Sequence, residues 1–235
     1  MRSFRAWCVA GLMLLLGGAA QAADNWEVIR QGGAGREDIA SWVRPVQGMS
    51  VKAFRGVTEI HANAYVLLAV LADTRNLSNW IYQGQFSEHP ANLPPDNIYM
   101  RFNGIWPASD RDVLFRTTVT QDGEAVVVES NNVDGMAVNS SYVRVAKLHN
   151  TFRLVPLKGG WTRVEFETLV DLGGMVPSWL ANLVSTKAPL VTLQGMQQQA
   201  KKPAYQGKTG ADLPQQYSRD GRLVLPEWHL KGTEP

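Results

Sequence analysis

Chemistry needs side chains that can hold a proton, a metal or a nucleophile, and in this chain they are few and scattered. The four histidines, His61, His89, His149 and His229, never stand at HExxH or a comparable spacing that would bring two imidazoles to one metal. The single cysteine, Cys8, falls within an N-terminal apolar run. Once that run is removed, thiolate catalysis, disulfides and cysteine-held metals are all excluded. There is no G-x-S-x-G nucleophile elbow. Gly32-Gly33-Ala34-Gly35 follows a strand pattern without a helix start, so it makes a poor phosphate cradle. Glu37/Asp38 and Glu165/Glu167 read as solvated strand faces. Asp112, Tyr99 and Tyr142 remain as candidate acids or bases, and they serve only if they face an interior pocket. The sequence implies no catalytic residue, no cofactor and no metal. With 23 basic residues against 21 acidic ones, it also lacks the positive surface that neutralises phosphates, which argues against nucleic acid as a partner.

The material around these residues is that of a well-filled domain. Of 235 residues, 45% are hydrophobic and 19% charged. A chain of this size buries roughly 70% of its unfolded surface and needs no disulfide or metal to hold its fold. Residues 1–22 stand apart as a secretory signal peptide: Arg2 and Arg5 precede an uncharged run from Ala6 to Ala20, and Ala20-Gln21-Ala22 has the A-x-A form of a cleavage site. The apolar stretch, about 15 residues, is short of the roughly 20 that cross a bilayer. The expectation is an exported, periplasmic chain starting at Ala23, with its acidic and basic residues in balance once Arg2 and Arg5 are gone.

From Trp26 to Ile60, short β-rich segments alternate with glycine turns. Asn63 is placed to cap a helix through Ala64–Ala72, with a second helical piece near Asn76 to Tyr82. Strands then return. Val113, Phe115 and Val119 oppose Arg116, Thr118 and Thr120, and Val164, Phe166 and Val170 oppose Arg163, Glu165 and Glu167, which is the period-2 sign of half-buried antiparallel strands. Gln121-Asp122-Gly123 supplies a hairpin turn. A long helix follows Gly173-Gly174, with Pro177 in its first turn. Its apolar stripe runs over Val176, Leu180, Leu183, Val184, Leu190, Val191 and Met196, and Pro189 is expected to bend or briefly break it. After Lys202, proline and glycine punctuate a tail, residues 203–235, of uncertain order. The fold class is thus α+β, a curved antiparallel sheet with one long helix laid across it. The pattern alone suits a solid core, and it also suits a hollow one in which the bent sheet diverges from the straight helix.

Two motifs weigh toward the hollow form. Trp106-Pro107-Ala108-Ser109-Asp110-Arg111-Asp112, and Asp171-Leu172-Gly173-Gly174-Met175-Val176-Pro177-Ser178-Trp179-Leu180-Ala181-Asn182, resemble the START family of lipid-transfer domains. The similarity runs from about Trp26 to Lys202, with Trp80 and Val143-Arg144 included, and its wording is closest to members related to the phosphatidylcholine transfer protein. The resemblance implies a helix-grip fold over residues 23–202, one internal cavity and no catalysis. It also implies that the loop matching Ser130–Ser141 covers the cavity, which makes Val133, Met136 and Val138 gate residues. With them, Leu71, Trp80, Met100, Arg111, Phe115, Trp179, Leu180, Leu183 and Val184 form the expected lipid-binding set. A lid has a physical reason: roughly 30 methylenes at about 0.8 kcal/mol each leave on the order of 20 kcal/mol in water unless enclosed.

The headgroup is read from where the resemblance fails. The choline-binding arginine and acid of that family correspond here to Leu77 and Ile81, and its aromatic cage to Leu71, Met100 and Phe115, so one ring stands where a cation wants several. The second arginine of sterol carriers corresponds to Thr117. The ligand expected is therefore an acyl or polycyclic lipid without a choline head. Arg111 and Asp112 point to opposite faces of a strand and do not pair with each other. Arg111 is then either a brace or a reader of the headgroup. Transient membrane contact is expected through the terminal helix and the loop around Met136, with little dependence on salt. Two alternatives stay open: a cyclase-like enzyme of the wider helix-grip superfamily, and a periplasmic protein-interaction module.

Overall fold

The computed structural model describes residues 25–217 and 223–232. The signal segment 1–22 and the expected start at Ala23 lie outside the described residues. Alternating inward and outward side chains build β1 (Glu27–Arg30), β2 (Ala40–Pro45), β3 (Lys52–Ile60), β4 (Gly84–Glu88), β5 (Asn97–Phe102), β6 (Arg111–Asp122), β7 (Ala125–Asn132), β8 (Val143–Arg144), β9 (Lys147–Pro156) and β10 (Thr162–Asp171). They form one sheet in the order β1-β2-β3-β10-β9-β7-β6-β5-β4, with β8 alone pairing in parallel, against β6. The expected alternation holds in β10, where Val164 and Phe166 are buried. The turn at Gln121-Asp122-Gly123 joins β6 to β7, with Gly123 at φ +60.

The helices pack on the concave face. Helix α1 (Ala64–Ala72) starts where Asn63 Oδ1 accepts the Val66 N–H at 3.1 Å, and almost every residue of it is buried. The short α2 (Thr74–Leu77) begins and ends earlier than expected. The long α3 (Ser178–Ala200) follows Pro177, and it runs unbroken through Pro189. Gly173 and Gly174, at φ +67 and +66, make the turn into it. A β-carbon on Gly173 would sit 2.7 Å from the Arg144 carbonyl oxygen, so the first glycine is required for space as well as for conformation.

The C-terminal half of α3 is set down hard on the sheet. Gly56 of β3 leaves room for Leu193, whose Cδ1 would be 2.5 Å from any β-carbon there, and Gly195 lets the helix backbone meet the Trp80 carbonyl in the same way. Leu193 and Met196 are fully buried. The N-terminal half, tied to β3 by Ser185, leaves a gap over the sheet bordered by Leu180, Val184 and Ala188, and is in that sense raised.

The segment after Lys202 packs closely. Tyr205, Leu213, Tyr217, Leu225 and His229 are buried in the core around α1, and α4 (Glu227–Leu230) docks beside residues 158–160. Tyr65 Oη donates to the Leu223 carbonyl at 2.8 Å. Tyr205 Oη donates to Asp73 Oδ2 at 2.8 Å, and Tyr217 Oη to the Leu71 carbonyl at 3.1 Å. Pro203, Gly207, Gly210, Pro214 and Pro226, which suggested a loose tail, stand in or directly before the turns and short helices of this packed segment.

Candidate functional site

A cavity of about 180 Å³ lies between the sheet and the raised half of α3. Its floor is aromatic. Phe152 and Phe166 stack at 4.2 Å between ring centroids, Phe54 leans on Phe166 at 6.3 Å, and Phe115 lines it from β6, beyond β7. The helix contributes Leu180, Val184, Ala188 and Pro189, residues spaced to share one face. Leu71, Leu77, Trp80 and Ile81 close one side, and Ile105, Ala108 and Leu172 close the end nearest the helix N-terminus.

One polar row crosses this wall. Thr117, Ser130, Asn150 and Thr168 stand side by side on β6, β7, β9 and β10. All four line the cavity and satisfy one another, with Thr117 Oγ1 2.9 Å from Ser130 Oγ and Thr168 Oγ1 donating to Asn150 Oδ1 at 2.5 Å.

Of the two cations that line the cavity, Lys52 and Arg111, only Arg111 is buried. It lines the cavity at 5% exposure, its Nη1 donates to the Ser109 carbonyl, and its Nε has no partner. Burial lowers the pKa of its guanidinium, against the opposing pull of the Asp110 charge. The bracing role belongs instead to Arg144. It grips Asp112 with two hydrogen bonds of 2.7 and 3.0 Å on the opposite face of β6, held there by the parallel pairing of Asp112 with Arg144. That carboxylate also accepts from Tyr99 Oη at 3.2 Å. Burial first, and then the Asp112 charge, push the Tyr99 phenol up to about 12.

Of the expected lipid-binding residues, the structure brings Leu71, Trp80, Arg111, Phe115, Leu180 and Val184 to the cavity. Met100 faces the cavity side by register, between Ile98 and Phe102, but is fully buried in the core cluster and does not reach the space. Trp179, half exposed, and Leu183 turn away from it because they lie on the other side of α3. Val133, Met136 and Val138 do not line it either: β7 runs on to Asn132, and the loop after it is held outside the wall by Val133 N–H to the Leu114 carbonyl at 2.9 Å and by Arg144 to the Met136 carbonyl at 3.4 Å. The loop that does border the cavity is 103–110, the one carrying the Trp106-Pro107 motif. Asp112, Tyr99 and Tyr142, the candidate acids and bases, all face away from it. Among the described residues the lining contains no carboxylate and no imidazole. Phe152 and Tyr217 went unremarked in the sequence. The inward register of Phe152 opposite Phe166 is the signal that could have found the first; Tyr217 comes from the tail, where no pattern pointed inward.

The family model of the START domain matches residues 11–201. The chain belongs to the START family. Among START structures it is similar to a STAR-related lipid transfer protein from Xanthomonas axonopodis (fragment 25–204), with a TM-score of 0.67 and 26% identity over 76% of this chain and 100% of that one. It also shares its fold with human STARD10, at a TM-score of 0.69 and 16% identity over 87% of this chain and 85% of that one. The uncharacterized protein PA1579 of Pseudomonas aeruginosa is 28% identical over 183 residues, covering 77% of this chain and 89% of that protein. The START helix-grip fold expected from the motifs is thus the fold observed, and it is a fold suited to a hydrophobic ligand.

Proposed function

We propose that this START protein binds one lipid molecule non-covalently in its cavity and carries it through water. The observation that carries this reading is the apolar space under the raised half of α3, because a packed α+β core would have filled it. Among the described residues the lining holds no carboxylate and no imidazole, which supports binding over turnover. Export to the periplasm, suggested by residues 1–22, belongs to the same proposal.

Entry is through the end formed by loop 103–110 and the start of α3. There Trp106 is 87% exposed and Met175 is 99% exposed. Pro107, Ala108, Met175, Val176 and Pro177 share one shallow depression, so the two loops present a joint apolar edge. A membrane is the occupant this edge fits, since tryptophan and methionine at the mouth of a lipid cavity can enter the headgroup layer while the lipid passes. Lipid extraction from freshly purified protein, followed by mass spectrometry, tests the reading. One lipid per chain is expected. A protein that carries none, and that takes up no fluorescent fatty acid, would refute it.

A further inference from the structure

The cavity holds a charge that no carboxylate among the described residues pairs with. Asp112 is occupied by Arg144 and Tyr99 on the outer face, and Asp110 by the Gly104 N–H at 2.7 Å and Gln85 at 3.2 Å. Lys52, the other cation at the cavity, pairs with Glu27 at 3.0 Å. Arg111 makes no ion pair among the described residues. Its one acceptor is the Ser109 carbonyl, and its Nε is shielded from solvent with nothing to donate to. The indole Nε1 of Trp80, another lining residue, is in the same position.

Both unanswered groups are donors. A guanidinium stays protonated at any working pH and cannot escape its burial by losing its charge. A brace ends on a carboxylate, as Arg144 does; Arg111 ends in the cavity. A buried cation of this kind is strongly unfavourable until an anion joins it, and its planar fork matches the two oxygens of a carboxylate or phosphate. From Arg111 the inward face of β6 continues through Phe115 to Thr117, about 20 Å along the strand, which gives an apolar wall for a tail.

We propose that the bound lipid carries an anionic oxygen headgroup, a carboxylate or a phosphate monoester, seated on Arg111 beneath loop 103–110 with its chain running inward past Phe115. This rests on the lipid-binding reading above. The test is titration of lipid-stripped full-length protein with palmitate, hexadecyl phosphate and methyl palmitate. At least one of the two acids binds about tenfold or more tighter than the ester, and the tighter acid names the head. Arg111→Met brings the affinity for the acids down to that for the ester, and keeps or raises the Tm of the empty protein, whereas loss of a brace would lower it. Arg111→Lys keeps the charge and part of the preference, and it answers the question if the Met variant does not fold. Equal affinity of the unaltered protein for acids and ester overturns the anionic head while leaving the carrier intact. Failure to bind all three probes overturns the carrier itself.

Discussion

The two halves of α3 lie over the same sheet and do opposite things. The C-terminal half is anchored at every turn. Leu193 sits over Gly56, Gly195 against Trp80, Gln197 Nε2 donates to the Glu37 carbonyl at 2.7 Å, and Gln199 accepts from Asn76 at 3.0 Å. Among the described residues the N-terminal half has one comparable tie, Ser185 Oγ accepting the Lys52 N–H at 2.9 Å, and its Leu180, Val184 and Ala188 line the cavity. A hollow protein of this kind depends on one end of its helix being fixed firmly enough that the other can stand clear.

Substitutions that attack the anchored half carry the largest cost. Leu193→Ala is expected to lose about 3 kcal/mol in denaturant unfolding, and Gly56→Val about 2 kcal/mol, because its side chain must displace Leu193 or Phe54. Val184→Ala, on the raised half, should cost less than about 1 kcal/mol, since its side chain already borders a void. Equal losses at Leu193 and Val184 would erase the distinction between the halves.

Acid should act next, and at the anchored end. His229 Nδ1 donates to the Leu157 carbonyl at 3.2 Å while Nε2 accepts the Ala64 N–H at 3.1 Å, so the native ring is neutral, and burial holds its pKa below the usual 6.5. The unfolded chain takes up a proton near that value and the native one does not. The stability this ring contributes is therefore complete above about pH 6.5 and declines as the pH falls toward the lowered native value. Unfolding midpoints at pH 5 and 7.5 should differ, and His229→Gln should flatten that slope.

Filling the hollow half sharpens the comparison from the other side. Ala188→Phe is expected to change stability by less than about 1 kcal/mol yet to reduce fatty-acid uptake about tenfold, because its ring occupies the ligand's volume. The smallest structural effect belongs to Met175→Asp. Its stability should stay within about 0.5 kcal/mol, while transfer between vesicles slows and affinity is kept. Equal loss of transfer and affinity would move the docking edge elsewhere.

Much of this was legible in the sequence. Period-2 alternation located β6 and β10, Asn63 marked the start of α1, and the two glycines marked the turn into α3, because each of these signals is local. The wall of the cavity was harder to read. Leu180 and Val184 line it while Leu183 does not, and helix periodicity cannot say which side of a stripe will meet the sheet. Met100 was lost to the core because its neighbours bury it completely, although Ile98 and Phe102 on either side reach the cavity. The role of loop 103–110 depends on where the end of α3 comes to rest, a contact between residues about seventy positions apart. Arg111 and Arg144 were equally unreadable as a pair of roles: which of them braces Asp112 is decided by β8, a two-residue strand too short to leave a pattern.

The strap formed by the chain after Lys202 makes the order of assembly matter. Tyr217, the last of the lining residues in the sequence, reaches the cavity through its bond to Leu71. The wall of the cavity is thus incomplete until a segment made after all its other described walls has packed on α1. Clipping the protein just past α3 would leave the sheet and its long helix in place and produce a leaking cup.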